Sequence, residues 1–362
     1  MRVMTIVGTR PELIRLSLII EQLDQLASRH ILVHTGQNFD PRLKDVFFDE
    51  LGIRQPDHAL QHQATSFGQQ IGAMFGQVEQ LIQAEQPDAI LVLGDTNSAL
   101  CAILAARMHI KVYHMEAGNR CYDLSVPEET NRKIIDAVSH FNLPYTPGSR
   151  ENLLREGMPP ARIWVSGNPI YEVLQHYQSQ IAASQIHDKL GIEKNQYFLV
   201  TAHRAENVDN KERLNAISAA LQKIAETWNL PVVVSVHPRT KARLQQFGIK
   251  EAKNVRLIEP FGFFDFVKLQ QHARCVLTDS GTVQEESCIF HVPAVTIRQS
   301  TERPETILCG SNVLSGLTSA HIVQSTALAL QAKRDWPLPE GYEDPLVSSK
   351  ITKFILGGLT YV

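Results

Sequence analysis

Short apolar runs of strand length alternate along this chain with longer segments whose apolar residues recur at helical spacing, and a polar turn separates each run from the helix after it. Residues 2–7 (RVMTIV) predict a buried strand; the turn Gly8-Thr9-Arg10-Pro11 follows, and residues 13–26 (LIRLSLIIEQLDQL) predict a helix. Further strands are predicted at 30–34 (HILVH), 89–93 (AILVL) and 111–114, with helices from about 66 to 85 and at 98–107. Strands linked through helices pair in parallel, because a parallel partner needs a long crossover. The fold class is therefore α/β: doubly wound parallel sheet with helices on both faces.

The rhythm restarts after Gly167-Asn168-Pro169, with strands predicted at 197–201, 231–236, 274–278 and 294–297 and a helix at 213–227. The length of 362 residues fits two such units. The expected arrangement is a Rossmann-like N-terminal domain over 1–168 and a second Rossmann-like domain over 169–345. A final helix within 346–362 is expected to pack back on the first domain.

Composition narrows the partners. A formal net charge of −3 gives no bulk attraction to nucleic acid or to an anionic membrane. No apolar run reaches the ~18 residues of a membrane span, and the start MRVMTIVGTRPE is broken too soon for a signal peptide. The five cysteines are scattered, without a C-x-x-C pair, which argues against a disulfide framework or a thiolate zinc site. Neither His203 nor His237 shows H-x-x-x-H or another metal-ligand spacing. The expectation is a cytoplasmic protein with no metal and no redox cofactor.

Ligands of open parallel sheets bind beyond the carboxyl ends of the strands, and the unusual polar residues here collect there: Arg10, Gln37, Asp95, Glu116, His203, His237, Asp279-Ser280-Gly281 and Arg298. Gly8–Glu12 joins a strand to a helix start, which suits an anion, with Arg10 as a charged contact; equally, Pro11 and Glu12 are ordinary residues for a first helical turn. Asp279-Ser280-Gly281-Thr282 is the matching element of the second half, readable as a diphosphate cradle or as a helix cap. Asp95 also reads as a helix cap. Glu116 follows an apolar strand, where a solvated carboxylate is not expected, and Glu128 lies just after Pro127. Several carboxylates near one sheet edge suit proton transfer.

Together these segments resemble the non-hydrolysing UDP-N-acetylglucosamine 2-epimerases over nearly the whole chain. The matching motifs are VGTRPE at the start, HTGQ at 34–37, GDTN at 94–97, HMEAGNR at 114–120, PEETNR at 127–132, AHRAEN at 202–207, VHPR at 236–239, TDSGTVQEE at 278–286 and TERPE at 301–305. The resemblance implies a glycosyltransferase-B type of fold with UDP in an inter-domain cleft, and a homodimer. It implies that Asp95, Glu116 and Glu128 are catalytic carboxylates and that His203 lies near the diphosphate. Arg10, Ser280, Gly281, Glu286 and Arg303 match nucleotide-sugar contacts, with Glu286 on the ribose and Phe266 near the uracil. Gln37, Arg132, His237 and Thr282 complete the expected substrate set.

The sequence departs from the family pattern in the short stretch 119–126, in HTGQN at 34–38 and in TDSGT at 278–282. With PFGFFDFVKLQ at 260–270, these features resemble the branch acting in UDP-N-acetyl-L-fucosamine synthesis. The expected activity is interconversion of UDP-N-acetylglucosamine and UDP-N-acetylmannosamine, for surface-polysaccharide precursors. The alternatives are C2 epimerisation of UDP-2-acetamido-2,6-dideoxy-L-talose, UDP-sugar-dependent glycosyl transfer, or non-catalytic UDP-sugar binding.

Overall fold

A computed structural model describes residues 1–37, 48–61 and 66–357. Asn38, the last residue of the HTGQN variant, lies outside them. The chain divides into two compact units, one formed by 1–176 and 340–362, the other by 177–339. The division falls just beyond Gly167–Val173, where the helical rhythm restarts.

The first unit holds a six-stranded sheet of β1 (Arg2–Val7), β2 (Arg29–His34), β3 (His58–Ala59), β4 (Ala89–Leu93), β5 (Lys111–Met115) and β6 (Phe141–Leu143), in the order β3-β2-β1-β4-β5-β6. Its pairings are all parallel. β1 and β4 are apolar without alternation because helices cover both faces of the sheet. One face packs Met4, Ile6, Ile31, Val33, Ile90 and Val92 against Met74, Val78 and Ile82 of the helix Phe67–Glu85. The helix predicted over 98–107 begins as a 3-10 turn at Ser98–Cys101 and becomes α-helical at Ala102–Arg107. The helix Val347–Leu356 belongs to this unit and packs on the helix Arg10–Leu26: Gln22 Nε2 donates to Ser348 Oγ at 2.8 Å. Phe354 stacks on Trp164 with ring centroids 4.5 Å apart.

The second unit repeats the architecture with β7 (Phe198–Thr201), β8 (Val232–Ser235), β9 (Val255–Ile258), β10 (Cys275–Thr278), β11 (Ala294–Thr296) and β12 (Asn312–Leu314), in the order β12-β11-β10-β7-β8-β9. Strand order reverses between β1 and β4 in the first sheet and between β7 and β10 in the second. At such a point the crossovers diverge to opposite faces and leave a crevice at the strand ends. The loops beginning at Gly8 and Gly94 leave one reversal point; those beginning at Ala202 and Asp279 leave the other.

Candidate active site

In the first unit, the loops after β1, β2 and β4 are bonded to one another. Gly8 runs so close to its neighbours that a methyl group on it would lie 2.0 Å from Ser98 Oγ and 2.3 Å from Thr35 Oγ1. Those two hydroxyls are themselves hydrogen-bonded at 2.6 Å. Gln37 Oε1 accepts from Ser98 N at 3.2 Å and from Ser98 Oγ at 3.0 Å. Glu12 joins two loops with one carboxyl group. Its Oε2 accepts from Gly8 N at 3.0 Å and from Thr9 N and Thr9 Oγ1 at 2.7 Å, and its Oε1 accepts from Thr96 Oγ1 at 2.9 Å. Glu12 is 1 % exposed. Burial pushes its pKa up to about 7, against the lowering effect of those four bonds. The first helical turn thus holds a buried, hydrogen-bonded carboxyl with a raised pKa instead of the solvated one that its sequence position suggests. Arg10, half-buried, heads the helix Arg10–Leu26 from this clamped loop.

Asp95 follows β4 and is anchored from the helix Pro127–Val138. Its Oδ2 accepts from Arg132 Nε at 2.8 Å and lies 2.6 Å from Arg132 Nη2 in the same ion pair, and its carbonyl accepts from Asn131 Nδ2 at 2.9 Å. A side-chain cap is therefore not its role; Asn97 precedes the 3-10 turn. Arg132 also donates through Nη1 to Glu129 Oε2 at 2.7 Å. Glu129 takes backbone N–H bonds from Cys121 and Tyr122 at 3.1 Å each. Burial alone would raise the pKa of Glu129, but these bonds and the Arg132 charge hold it below the usual carboxylate range. Glu128 stands one residue earlier, half-buried, in the first turn of the same helix.

Glu116 leaves β5 with φ of 66°, in the left-handed region that a residue with a Cβ rarely occupies. Its N–H bonds to Leu143 O at 3.1 Å, and its carboxylate pairs with Arg15 of the helix Arg10–Leu26. A methyl group on Gly94 would come within 3.7 Å of Glu116 Oε1, so this carboxylate lies over the residue preceding Asp95. The turn is supported from beneath by His114. Its Nε2 lies 2.8 Å from Gly94 O and its Nδ1 lies 2.9 Å from Asp136 Oδ1. Asp136 also accepts from Arg120 Nη2 at 2.7 Å and from Gly118 N at 3.2 Å. Burial would raise the Asp136 pKa, but the His114 and Arg120 interactions keep it low.

In the second unit, Asp279 is the counterpart of these anchors. Fully buried, it accepts from the backbone N–H groups of His203 and Arg204 at 3.0 Å each and from Asn207 Nδ2 at 3.1 Å. Its Oδ1 lies 3.3 Å from His203 Nδ1, and the His203 side chain is 45 % exposed. The ring of His203 lies 6.3 Å from that of His237. His237 is exposed and accepts at Nδ1 from Arg239 N at 3.2 Å, which makes it a helix cap.

Ser280-Gly281-Thr282 opens the helix Gly281–Ile289, where the Ser280 hydroxyl bonds to Thr282 Oγ1 at 2.9 Å instead of capping the helix. A methyl group on Gly281 would lie 2.7 Å from Glu302 Oε1. Glu302 is held by Arg298 Nη1 at 2.6 Å and Arg204 Nη2 at 3.2 Å. Arg303 Nε donates to Glu285 Oε1 at 2.5 Å. Glu286 is buried one residue further along the same helix. Phe266 packs against the cluster that contains Tyr197, Leu199 and Val233.

The structure thus ties Asp95 to Arg132, brings Glu116 over Gly94, and gathers His203, Ser280, Gly281 and Arg303 around the β7/β10 reversal. Asp279, picked out at its strand end from the sequence, anchors this framework together with Glu12, Arg15 and Glu302, which were not singled out as site residues. Their shared signal was a charged residue predicted at a buried strand or helix end. Among the described residues, no group of three or more His, Cys, Asp or Glu side chains could hold a metal ion, and no helix is long and apolar enough to cross a membrane.

Comparison with known proteins places these features in context. The family model described as UDP-N-acetylglucosamine 2-epimerase matches residues 21–356. The UDP-N-acetylglucosamine 2-epimerase of Methanocaldococcus jannaschii is 39 % identical over 94 % of this chain and 95 % of its own length. The crystal structure of that organism's UDP-GlcNAc 2-epimerase, in complex with UDP-GlcNAc and UDP, superposes with a TM-score of 0.94 at 37 % identity, covering 99 % of this chain and 100 % of its own. The UDP-2,3-diacetamido-2,3-dideoxy-D-glucuronate 2-epimerase of Pseudomonas aeruginosa is 37 % identical over 98 % of this chain and 99 % of its own. WaaG, a glycosyltransferase involved in lipopolysaccharide biosynthesis, shares the fold alone, with a TM-score of 0.61 at 13 % identity over 99 % of this chain and 100 % of its own.

Proposed function

Because the chain belongs to the UDP-N-acetylglucosamine 2-epimerase family, we propose that it is an isomerase that interconverts UDP-N-acetylglucosamine and UDP-N-acetylmannosamine. The observation that carries the reading is the paired set of carboxylates at the ends of adjacent strands, Asp95 after β4 and Glu116 after β5, each with an arginine partner.

C2 of the sugar has no neighbouring carbonyl, so its proton is not acidic and simple deprotonation faces a high barrier. Elimination avoids this: a carboxylate removes the C2 proton as UDP leaves C1, giving 2-acetamidoglucal. UDP then adds back while C2 is protonated from the other face. Two faces require more than one acid/base group, which suits Asp95, Glu116 and Glu128. A departing diphosphate requires cations and N–H dipoles, which suits His203, Arg10, Arg303 and the helix start at Ser280-Gly281-Thr282. Gln37, Arg132, His237, Phe266 and Glu286 are assigned to the sugar and nucleoside. The reading extends to a homodimer acting in the cytoplasm on polysaccharide precursors.

Incubation with UDP-N-acetylglucosamine in deuterated buffer, followed by NMR, tests this. Both epimers should appear with deuterium at C2 and with UDP retained. An epimer bearing only hydrogen at C2 would rule out elimination and re-addition. The likeness to the Pseudomonas aeruginosa relative supports a second reading in which the amino sugar differs. A panel of UDP-amino sugars, including UDP-2-acetamido-2,6-dideoxy-L-talose, decides between them by turnover.

A further inference from the structure

The short helix Pro304–Leu308 of the second unit is tied to the helix Gly281–Ile289 at both of its ends. At one end Arg303 bonds to Glu285. At the other, the sulfur of Cys288 lies 3.7 Å from that of Cys309, and both residues are free thiols. Cys288 is fully buried, its carbonyl fixed by Trp336 Nε1 at 3.0 Å, whereas Cys309 is half-buried. The Cys309 sulfur has two further polar neighbours, Ser311 Oγ and Thr306 O, each at 3.4 Å.

We propose that Cys288 and Cys309 are a reversible dithiol–disulfide site that takes peroxides as its oxidant. The nucleophile is Cys309, because it is the more accessible of the two thiols. The contact between the two thiols lowers the pKa of Cys309 to about 6 and raises that of Cys288. Cys101 and Cys275 are buried and their thiols are pushed up to about 12, so they stay protonated and inert.

In the first step the Cys309 thiolate attacks a peroxide oxygen. The O–O bond breaks, hydroxide leaves and becomes water on protonation, and Cys309 becomes a sulfenic acid. The Cys288 sulfur then displaces that hydroxyl as the S–O bond breaks, and the thiol proton leaves with it as a second water. Two thiols lose two electrons and one hydrogen peroxide becomes two waters. The sulfurs must close from 3.7 Å to the ~2.05 Å of a disulfide bond. The inference does not depend on the epimerase reading. Its link to that reading is positional, since the same two helices carry Ser280–Thr282 and Arg303.

The test is peptide mapping of the wild-type protein after stoichiometric hydrogen peroxide, alkylation of the remaining thiols and tryptic digestion without reductant. Cys288 falls in peptide 275–298 and Cys309 in peptide 299–333. The two should be recovered joined, with a loss of about 2 Da relative to the separate thiols, and dithiothreitol should separate them. Because Cys275 shares the first peptide, fragmentation must place the link on Cys288, and Cys275→Ala should retain it while Cys309→Ser abolishes it. Separate peptides with Cys309 alkylated or carried on to sulfinic acid, or a link mapped to Cys275, would overturn the proposal.

Discussion

Single residues here matter through the partners that hold them. Asp95 has Arg132, Glu116 has Arg15 and His203 has Asp279. Replacing Asp95 by Asn, Glu116 by Gln or His203 by Ala is expected to lower turnover by at least about 10²-fold while the fold, followed by circular dichroism, stays intact. Near-normal turnover in all three would remove them from the chemistry. Glu12 gives a second prediction, of stability rather than rate. Its folded pKa, about 7, lies above the ordinary glutamate value of 4.5. Between those values the folded chain keeps a proton that the unfolded chain has released, so stability falls as pH rises through that window. The fall is at most about 3 kcal/mol for a carboxyl this deeply buried. Urea unfolding across pH 4.5 to 7 should show this slope in wild type and lose it in Glu12→Gln. Strand-end carboxylates such as Glu116 were legible from sequence because a charge following an apolar run is unusual. The cradle around Glu12 was not legible, because its donors come from Gly8, Thr9 and Thr96, and only folding brings the last of these beside the first two.

At the scale of elements, uninterrupted apolar runs marked β1 and β4, and the reading failed where such a run was missing. β6 has three residues with Asn142 at its centre, β9 exposes Arg256, and β12 begins with Asn312. These strands owe their existence to pairing at the sheet edges rather than to their own composition. Turns show the reverse, since a sequence rule explains them once the geometry is known. Gly118 has φ of 78°, and a methyl group there would lie 2.2 Å from the carbonyl oxygen of Ser149. Gly118→Ala should therefore cost about 2 kcal/mol or more in stability and disturb the Glu116 turn. Denaturant unfolding together with turnover checks both effects. An unchanged midpoint would show that the helix Pro147–Arg155 gives way without cost.

At the scale of the molecule, two sheets with the same strand order each present a reversal point. The duplication was legible in the restarted rhythm after Gly167-Asn168-Pro169, whereas strand order, a matter of pairing, was not. The closing helix Val347–Leu356 is the other molecular feature, since it belongs to the unit that begins the chain. Phe354 fills an aromatic group with Trp164, Phe141 and Tyr113. Phe354→Ala should destabilise that unit by about 2–4 kcal/mol, less than for a fully buried ring. The unfolding transition followed by Trp164 fluorescence should move accordingly. This arrangement also sets an order of assembly on the ribosome. The segment 177–339 is synthesised before the helix Val347–Leu356, so the unit translated first must wait for that helix to leave the exit tunnel before its hydrophobic surface is sealed.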